Sequence, residues 1–151
     1  MSLRNQRPLA GVARAALGAG IFLACGSWTL GCVTAPDDSP VALGSDRWQT
    51  AVSEDGQVLA RLSLEGEALA QGTNVVLIEL HATSGGARPL LESADVFMPA
   101  HAHGSTEPVI EQRGERYAVS FVLFMPGRWE LGFVADLSGA LDRVVVPVDV
   151  P

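Results

Sequence analysis

Apolar and polar side chains alternate with a period of two residues in several segments of this 151-residue chain. This alternation constrains the fold more than any other feature. Between residues 58 and 64, for example, valine, alanine and leucine alternate with arginine and serine, and the same spacing returns in 116–125, 129–136 and 144–150. Because successive side chains of a β-strand point to opposite faces, these segments are predicted to be strands with one buried face.

Further strands are predicted at 48–53, 74–81, 90–98 and 109–112. Turn-forming sequences separate the runs, namely Glu54-Asp55-Gly56, Gln71-Gly72-Thr73, Arg113-Gly114-Glu115 and Pro126-Gly127. About seven short strands within about a hundred residues are typical of a two-sheet antiparallel sandwich. The sequence therefore predicts an all-β sandwich over residues 46–151, and it predicts no helix in that range.

The first residues have the pattern of a signal peptide. Three arginines without any acid are followed by a small and apolar stretch over 15–30, and the first acidic residue is Asp37. This is the order of a secretory signal, and the apolar stretch is too short and too rich in glycine for a permanent membrane span. We predict a signal peptide at 1–31, a flexible spacer at 32–45, and one domain at 46–151.

The apolar stretch closes on Gly31-Cys32, which resembles a bacterial lipoprotein signal. That resemblance implies that Cys32 becomes the lipidated first residue of the mature chain, although Thr29 stands where the pattern usually has leucine. Cys25 is the second candidate, and the alternatives are cleavage without lipidation or a retained anchor helix. The prediction is a lipid-anchored protein of the bacterial cell envelope that faces the periplasm or the exterior.

Charge and cysteine usage exclude several classes. All ten basic residues are arginine, and removal of the signal would leave seventeen acidic residues against seven arginines, a net charge of about −10. Such a chain is not expected to bind nucleic acid, whose phosphates call for basic surfaces. Both cysteines lie before residue 33. The predicted domain therefore has no disulfide, no thiolate metal centre and no cysteine nucleophile.

Two of the three histidines and one of the three methionines lie within residues 97–104. His101 and His103 stand between a proline and a glycine, so they belong to a loop or a strand edge. A locally extended backbone would direct both imidazoles to the same side. Imidazole and thioether are ligands that copper prefers. The sequence predicts a copper site of His101 and His103, with Met98 or Met125 as a soft ligand.

The two methionines fit the hydrophobic core equally well. Met98 shares a strand face with Ala94 and Val96, and Met125 continues the alternation of the strand at 116–125. Methionine is a frequent gap filler in cores because its side chain is unbranched and flexible. The histidines have an alternative too, as an exposed polar turn or as donors to a backbone carbonyl. A structural role for all four side chains stays open beside the metal site.

Short motifs spread over residues 57–150 resemble the YtkA-like domain family, which is close to the FixH-like group. The resemblance implies a small immunoglobulin-like sandwich on a secreted or membrane-anchored protein, with a likeness to copper-handling modules. It implies little about function, because fold analogy does not establish a site. The motifs are Gly72-x-Asn74, Ala94-Asp95-Val96, Met98-Pro99-x-His101-x-His103-Gly104, Gly114-x-x-Tyr117 and Met125-Pro126-Gly127-x-Trp129-x-Leu131.

A second pattern, His101-x-His103-x3-Glu107-x6-Gly114, resembles the first motif of the cupins. Two histidines and a glutamate can hold a catalytic metal with open positions. The glycine expected six residues before His101 is Asp95, however, and no histidine follows His103 to supply a fourth ligand. A cupin-like site of His101, His103 and Glu107 is retained as an alternative.

Other catalytic motifs are missing from the sequence. It contains no Gly-x-Ser-x-Gly, no His-Glu-x-x-His and no phosphate-binding glycine loop. We therefore predict a non-enzymatic binding module of the envelope with copper as its candidate ligand. The remaining alternative is a structural or protein-interaction module without metal, whose edge strands would add to the sheet of an envelope partner.

Overall fold

The computed structural model describes residues 39–151. These residues form nine strands and one short 3₁₀ turn at Pro99–His101. Within residues 39–151, no helix has the length and hydrophobicity that a membrane span requires. The predicted signal peptide at 1–31, with Cys25 and Cys32, lies outside the described residues. The strands are β1 (Gln49–Val52), β2 (Val58–Leu64), β3 (Gly72–Ala82), β4 (Leu90–Met98), β5 (His103–Gly104), β6 (Val109–Arg113), β7 (Arg116–Leu123), β8 (Gly127–Leu137) and β9 (Ala140–Val150).

The strands form two antiparallel sheets. Sheet A has the order β1-β2-β3-β7-β6, and sheet B has the order β5-β4-β8-β9. Buried residues of both sheets belong to one hydrophobic cluster, so the sheets pack face to face. The predicted all-β antiparallel sandwich is confirmed. The eight predicted segments all correspond to observed strands, and the ninth, β5, has only two residues, too few for alternation to reveal it.

The core consists of the inward positions that the alternation predicts. Trp129, Leu131 and Phe133 of β8 are fully buried, and so are Val144 and Val148 on the neighbouring strand β9. Burial of one large apolar side chain contributes roughly 1.5–3 kcal/mol, which makes the β8–β9 ladder the centre of the hydrophobic stabilisation. The ladder pairs without a break from Gly127 with Val150 to Leu137 with Ala140.

The sandwich begins before the predicted boundary at residue 46. The Val41 amide donates a hydrogen bond to the Pro147 carbonyl at 2.7 Å. The Leu43 side chain is buried in the core cluster. The residues of β9 on either side of Pro147 pair with β8 along one edge of the strand. Val41 therefore covers part of the opposite, free edge of β9. The last residues of the predicted spacer at 32–45 therefore pack as part of the domain.

A buried carboxylate ties sheet A to sheet B at one end of the sandwich. Asp142 Oδ2 accepts hydrogen bonds from the Ser53 hydroxyl and from the Gln57 amide at 3.1 Å. Asp142 Oδ1 accepts from the Asp55 amide at 3.1 Å and from the Arg143 amide at 2.9 Å. The turn between β1 and β2 is thereby fastened to the start of β9, and we call this region, Ser53–Gln57 with Asp142, the aspartate end.

The pKa of Asp142 follows from these contacts. Burial, the largest single influence, raises the pKa, because it disfavours the charged carboxylate. The hydrogen bonds from Ser53 and from three backbone amides favour the charged form, and together they leave the pKa below its ordinary value. The carboxylate is therefore held ionised by its donors in spite of its burial.

Candidate functional site

The histidine loop lies at the other end of the sandwich, which we call the histidine end and define as residues 98–104 and 124–127. Strand β4 ends at Met98, and Pro99 opens the 3₁₀ turn in the first or second position, where its fixed φ fits and no amide donor is needed. Ala102 follows with φ 52° and ψ 37°, in the left-handed region. This reversal of backbone direction separates His101 at the end of the turn from His103 at the start of β5.

The two imidazoles lie side by side at the surface. Their ring centroids are 6.1 Å apart and their planes differ by 6°. Both residues are exposed. Within residues 39–151, neither imidazole has a hydrogen-bond or ion-pair partner. The described residues therefore do not show the alternative in which one histidine donates a hydrogen bond to a backbone carbonyl.

The spacing of the rings suits a shared ion. Imidazole nitrogen–metal bonds are about 2.0 Å long and a ring centre lies about 1 Å behind its nitrogen, so two rings on one ion have centres up to about 6 Å apart. The separation of 6.1 Å between His101 and His103 is at that limit. Because both side chains are exposed, rotation about their side-chain bonds is open to them.

Met98 is a core residue that reaches the base of the histidine loop. Its side chain is 2% exposed. It pairs directly with His103 between β4 and β5, so both side chains leave the same face of sheet B, with their Cβ atoms about 5 Å apart. A Cβ atom at Gly127 would lie 3.1 Å from Met98 Cε. The thioether therefore fills the space between the loop and the start of β8, as the core alternative predicts.

Met125 stands in the short connection between β7 and β8. It is partly buried and packs against the core. The indole nitrogen of Trp129 donates to its carbonyl at 3.1 Å, which fixes the backbone of this connection. Met98 and Met125 thus both belong to the histidine end, but the first is enclosed and the second is partly buried. His101 and His103 are the candidate ligands that are exposed there.

Glu107 does not join the histidines. Within residues 39–151, no group of three or more histidine, cysteine, aspartate or glutamate side chains stands close enough to hold a metal ion. The His101, His103 and Glu107 set of the cupin-like alternative is therefore not brought together. Glu107 instead borders a groove of about 470 Å³ on the outer side of sheet B, with Phe97 and Glu130.

Two further features are not among the residues that the sequence predicts for the site. Phe124, in the β7–β8 connection, is 54% exposed, and the alternation gives it the parity opposite to that of the buried Phe121 and Leu123. Gly132 lies inside β8, where a Cβ atom would stand 2.5 Å from Arg143 Nη2 and 2.6 Å from Asp95 Oδ2. The ion pair of Asp95 and Arg143, at 2.9 Å, crosses this glycine. A glycine within a strand pattern is the one hint of such a close approach.

Comparison of the chain with family models, with curated proteins and with solved structures finds no match. The resemblance to the YtkA-like domain therefore stays a prediction from the motifs of the sequence. The class that the described residues define is a two-sheet antiparallel β-sandwich.

Proposed function

We propose that this protein is a non-enzymatic binding module of the bacterial envelope that binds copper through His101 and His103. The observation that carries the proposal is the pair of exposed, parallel imidazoles 6.1 Å apart without a partner in the described chain. Buried polar groups that serve the fold are normally hydrogen-bonded within the protein, whereas these exposed imidazoles are open to a ligand. Imidazole nitrogens on a surface loop, beside two thioethers, suit a soft or borderline ion.

Each ligand has a distinct role in this proposal. His101 and His103 hold the ion and determine its affinity. Met98 forms the floor of the site and reaches the ion only if the loop shifts, since its side chain is 2% exposed. Met125 is the more accessible sulfur, because it is only partly buried. Copper supplies redox or Lewis-acid character when it is bound, whereas the protein holds it in place.

We also propose an immunoglobulin-like topology for the sandwich, in keeping with the YtkA-like resemblance. Without β1, the order β2-β3-β7-β6 corresponds to strands A, B, E and D of an immunoglobulin domain. The order β5-β4-β8-β9 then corresponds to C′, C, F and G. In this correspondence the histidine loop is the connection between strands C and C′.

Titration with Cu(I) and Cu(II) tests the copper proposal. The protein carries Cys25→Ser and Cys32→Ser, so that no thiolate competes for the metal. The double variant His101→Ala/His103→Ala is expected to lose binding, whereas His81→Ala is expected to keep it. His81 is a matched control because its side chain is 53% exposed, beside Glu79 on β3. Equal weak binding by all three proteins would rule the proposal out.

The sulfur ligands are tested separately. Met98→Leu and Met125→Leu remove the thioether and nearly conserve volume, so the core is expected to tolerate both. If sulfur takes part, the affinity for Cu(I) falls in one of these variants, and the affinity for Cu(II) falls less, because the thioether is the softer ligand. Unchanged affinity in both variants would confine the site to the histidines.

Lipid anchoring at Cys32 is a separate proposal, about a residue outside the described part of the chain. It rests on the signal-like sequence that ends at this residue. In a bacterial host supplied with labelled fatty acid, the wild-type protein and Cys25→Ser are expected to carry label, and Cys32→Ser is expected to lose it. If the label is lost in Cys25→Ser instead, Cys25, the second candidate, is the lipidated residue.

A protein-interaction module without metal is the competing function. The groove of about 470 Å³ on sheet B, which has Phe97 and Glu107 on its border, is the surface that favours it. An interaction through this groove would depend on Phe97 and would be indifferent to His101 and His103. Loss of partner binding in Phe97→Asp, together with no copper binding, would favour this function over the first.

A further inference from the structure

The copper site is incomplete within one chain. The two imidazoles supply two ligands, the Met98 side chain is enclosed with 2% exposure, and the Met125 side chain is partly buried. No third histidine, cysteine, aspartate or glutamate of residues 39–151 joins them. Imidazole-bound transition metals most often take four ligands, in a tetrahedral or a square arrangement. An ion on His101 and His103 therefore has coordination positions that this chain leaves unfilled.

The histidine end is also uncharged. Residues 96–106 and 117–127 contain no aspartate, glutamate, lysine or arginine, whereas the whole chain has a net charge of −7. Two copies that approach through most of their surface would bring like charges together. Two copies that approach through this end place no acidic side chains of these segments in contact, and the charged residues next to Gly127 are Arg128 and Asp149, which are of opposite sign and stand opposite each other on β8 and β9, so little like charge meets there.

The same end exposes apolar side chains. Phe124 is 54% exposed and Phe97 is 37% exposed. Pro99, Ala100 and Pro126 are exposed around the histidines. An apolar surface depleted of charge is typical of the centre of interfaces between identical subunits. A symmetric contact uses the same patch on both subunits, so each copy would present His101 and His103 to the other.

We propose that copper joins two copies of this chain through their histidine ends. One ion is bound by His101 and His103 of each copy, four imidazoles in total, and Phe124 packs at the edge of the contact. This inference rests on the proposed function, since it requires that the two histidines bind metal. It adds the partner that fills the vacant coordination positions, a second copy of the same chain.

Stoichiometry and mass test the inference together. The full chain with Cys25→Ser and Cys32→Ser is titrated with Cu(II) in a calorimeter, and its mass is measured by sedimentation equilibrium with and without Cu(II). We expect half an ion per chain and a mass that doubles only with metal. His81→Ala should behave in the same way, and His101→Ala/His103→Ala should stay monomeric.

The other outcomes separate the two proposals. One ion per monomeric chain, lost in the double histidine variant, would overturn the dimer and leave the copper site standing. No binding would overturn both. A dimer that forms without metal, or one that forms with metal in the double histidine variant, would overturn the inference, because the imidazoles would not be what joins the copies.

A charge placed on the contact face tests its position. Phe124→Glu puts two like charges near each other in the dimer and leaves both imidazoles intact. We expect metal-dependent dimerisation to weaken by about tenfold or more, because apposed like charges are strongly unfavourable at an interface. Leu141→Glu is the control, since Leu141 is 62% exposed and lies beside Asp142 at the aspartate end. Equal dimerisation of the two variants would show that the copies do not meet at the histidine end.

Discussion

The two ends of the sandwich use polar side chains in opposite ways. At the aspartate end, the Asp142 side chain is buried and receives hydrogen bonds from the Ser53 hydroxyl and from three backbone amides. At the histidine end, two exposed imidazoles face each other without a partner among the described residues. The first group serves the fold, because its loss leaves buried donors unpaired. The second contributes little to the fold, which leaves it available for a ligand.

The largest expected effect is at the aspartate end. Asp142→Ala leaves the Ser53 hydroxyl and three backbone amides without their acceptor, and we expect it to lower the free energy of unfolding by about 3 kcal/mol. His101→Ala/His103→Ala is expected to change it by less than about 0.5 kcal/mol, since exposed side chains contribute little. Urea denaturation of the metal-free proteins measures both values. Similar losses of unfolding free energy in the two variants would contradict the different roles of the two ends.

The backbone beneath the histidine loop is expected to be less tolerant than the histidines. Gly127 has φ +122°, a conformation that L-residues rarely adopt, and a Cβ atom there would lie 3.1 Å from Met98 Cε. Gly127→Ala is therefore expected to lower the free energy of unfolding by about 2 kcal/mol. Gly139→Ala, with φ +94° but no atom within 4 Å of its Cβ, is the control for strain alone. Equal losses of unfolding free energy in the two glycine variants would mean that the contact with Met98 does not contribute to the destabilisation.

Stability should depend on pH through the aspartate end. The pKa of Asp142 is lowered in the folded protein, so its contribution is fully present above its unfolded pKa, about 3.9. This contribution is lost as the pH falls through the lower pKa of the folded state. The stability difference between the wild type and Asp142→Asn should therefore be constant from about pH 7 to about pH 5 and narrow below about pH 4. Urea denaturation across this range measures it, and a constant difference down to about pH 2 would contradict the assignment.

The smallest expected effect concerns the residue between the two histidines. Ala102 has φ 52°, where a Cβ atom costs about 1 kcal/mol. Ala102→Gly removes that strain but also increases the conformational entropy of the unfolded chain. We therefore expect a gain of up to about 1 kcal/mol in unfolding free energy. A loss on thermal or urea denaturation would show that the turn does not hold the left-handed conformation in solution.

The sequence predicts the sandwich because its strands are local patterns. The alternation in β8 and β9 gives their buried faces, although β9 begins four residues before the predicted segment 144–150, and the parity of Met98 correctly allows a place in the core. Such a pattern cannot reveal the strand β5, which has only two residues. It also cannot reveal that the domain starts as early as Val41, because the hydrogen-bond partner of Val41, Pro147, is far along the chain.

The aspartate end could not have been found from the sequence. Asp142 precedes an alternating strand like any surface acid, and its partner Ser53 lies 89 residues away along the chain. The histidine loop is different, because its two candidate ligands are only two positions apart in the sequence and need no long-range pairing to meet. What the sequence leaves open is accessibility, since burial of Met98 and exposure of Phe124 depend on how the sheets close over one another.

Metal-dependent stabilisation tests most directly whether the aspartate end serves the fold while the histidine end binds a ligand. A ligand that binds only the folded state at 100 times its dissociation constant raises the free energy of unfolding by about 2.7 kcal/mol. With Cys25 and Cys32 replaced by serine, Cu(II) is expected to stabilise the wild-type protein and Asp142→Asn by the same amount and His101→Ala/His103→Ala not at all. Equal stabilisation of all three proteins, or of none, would contradict the account.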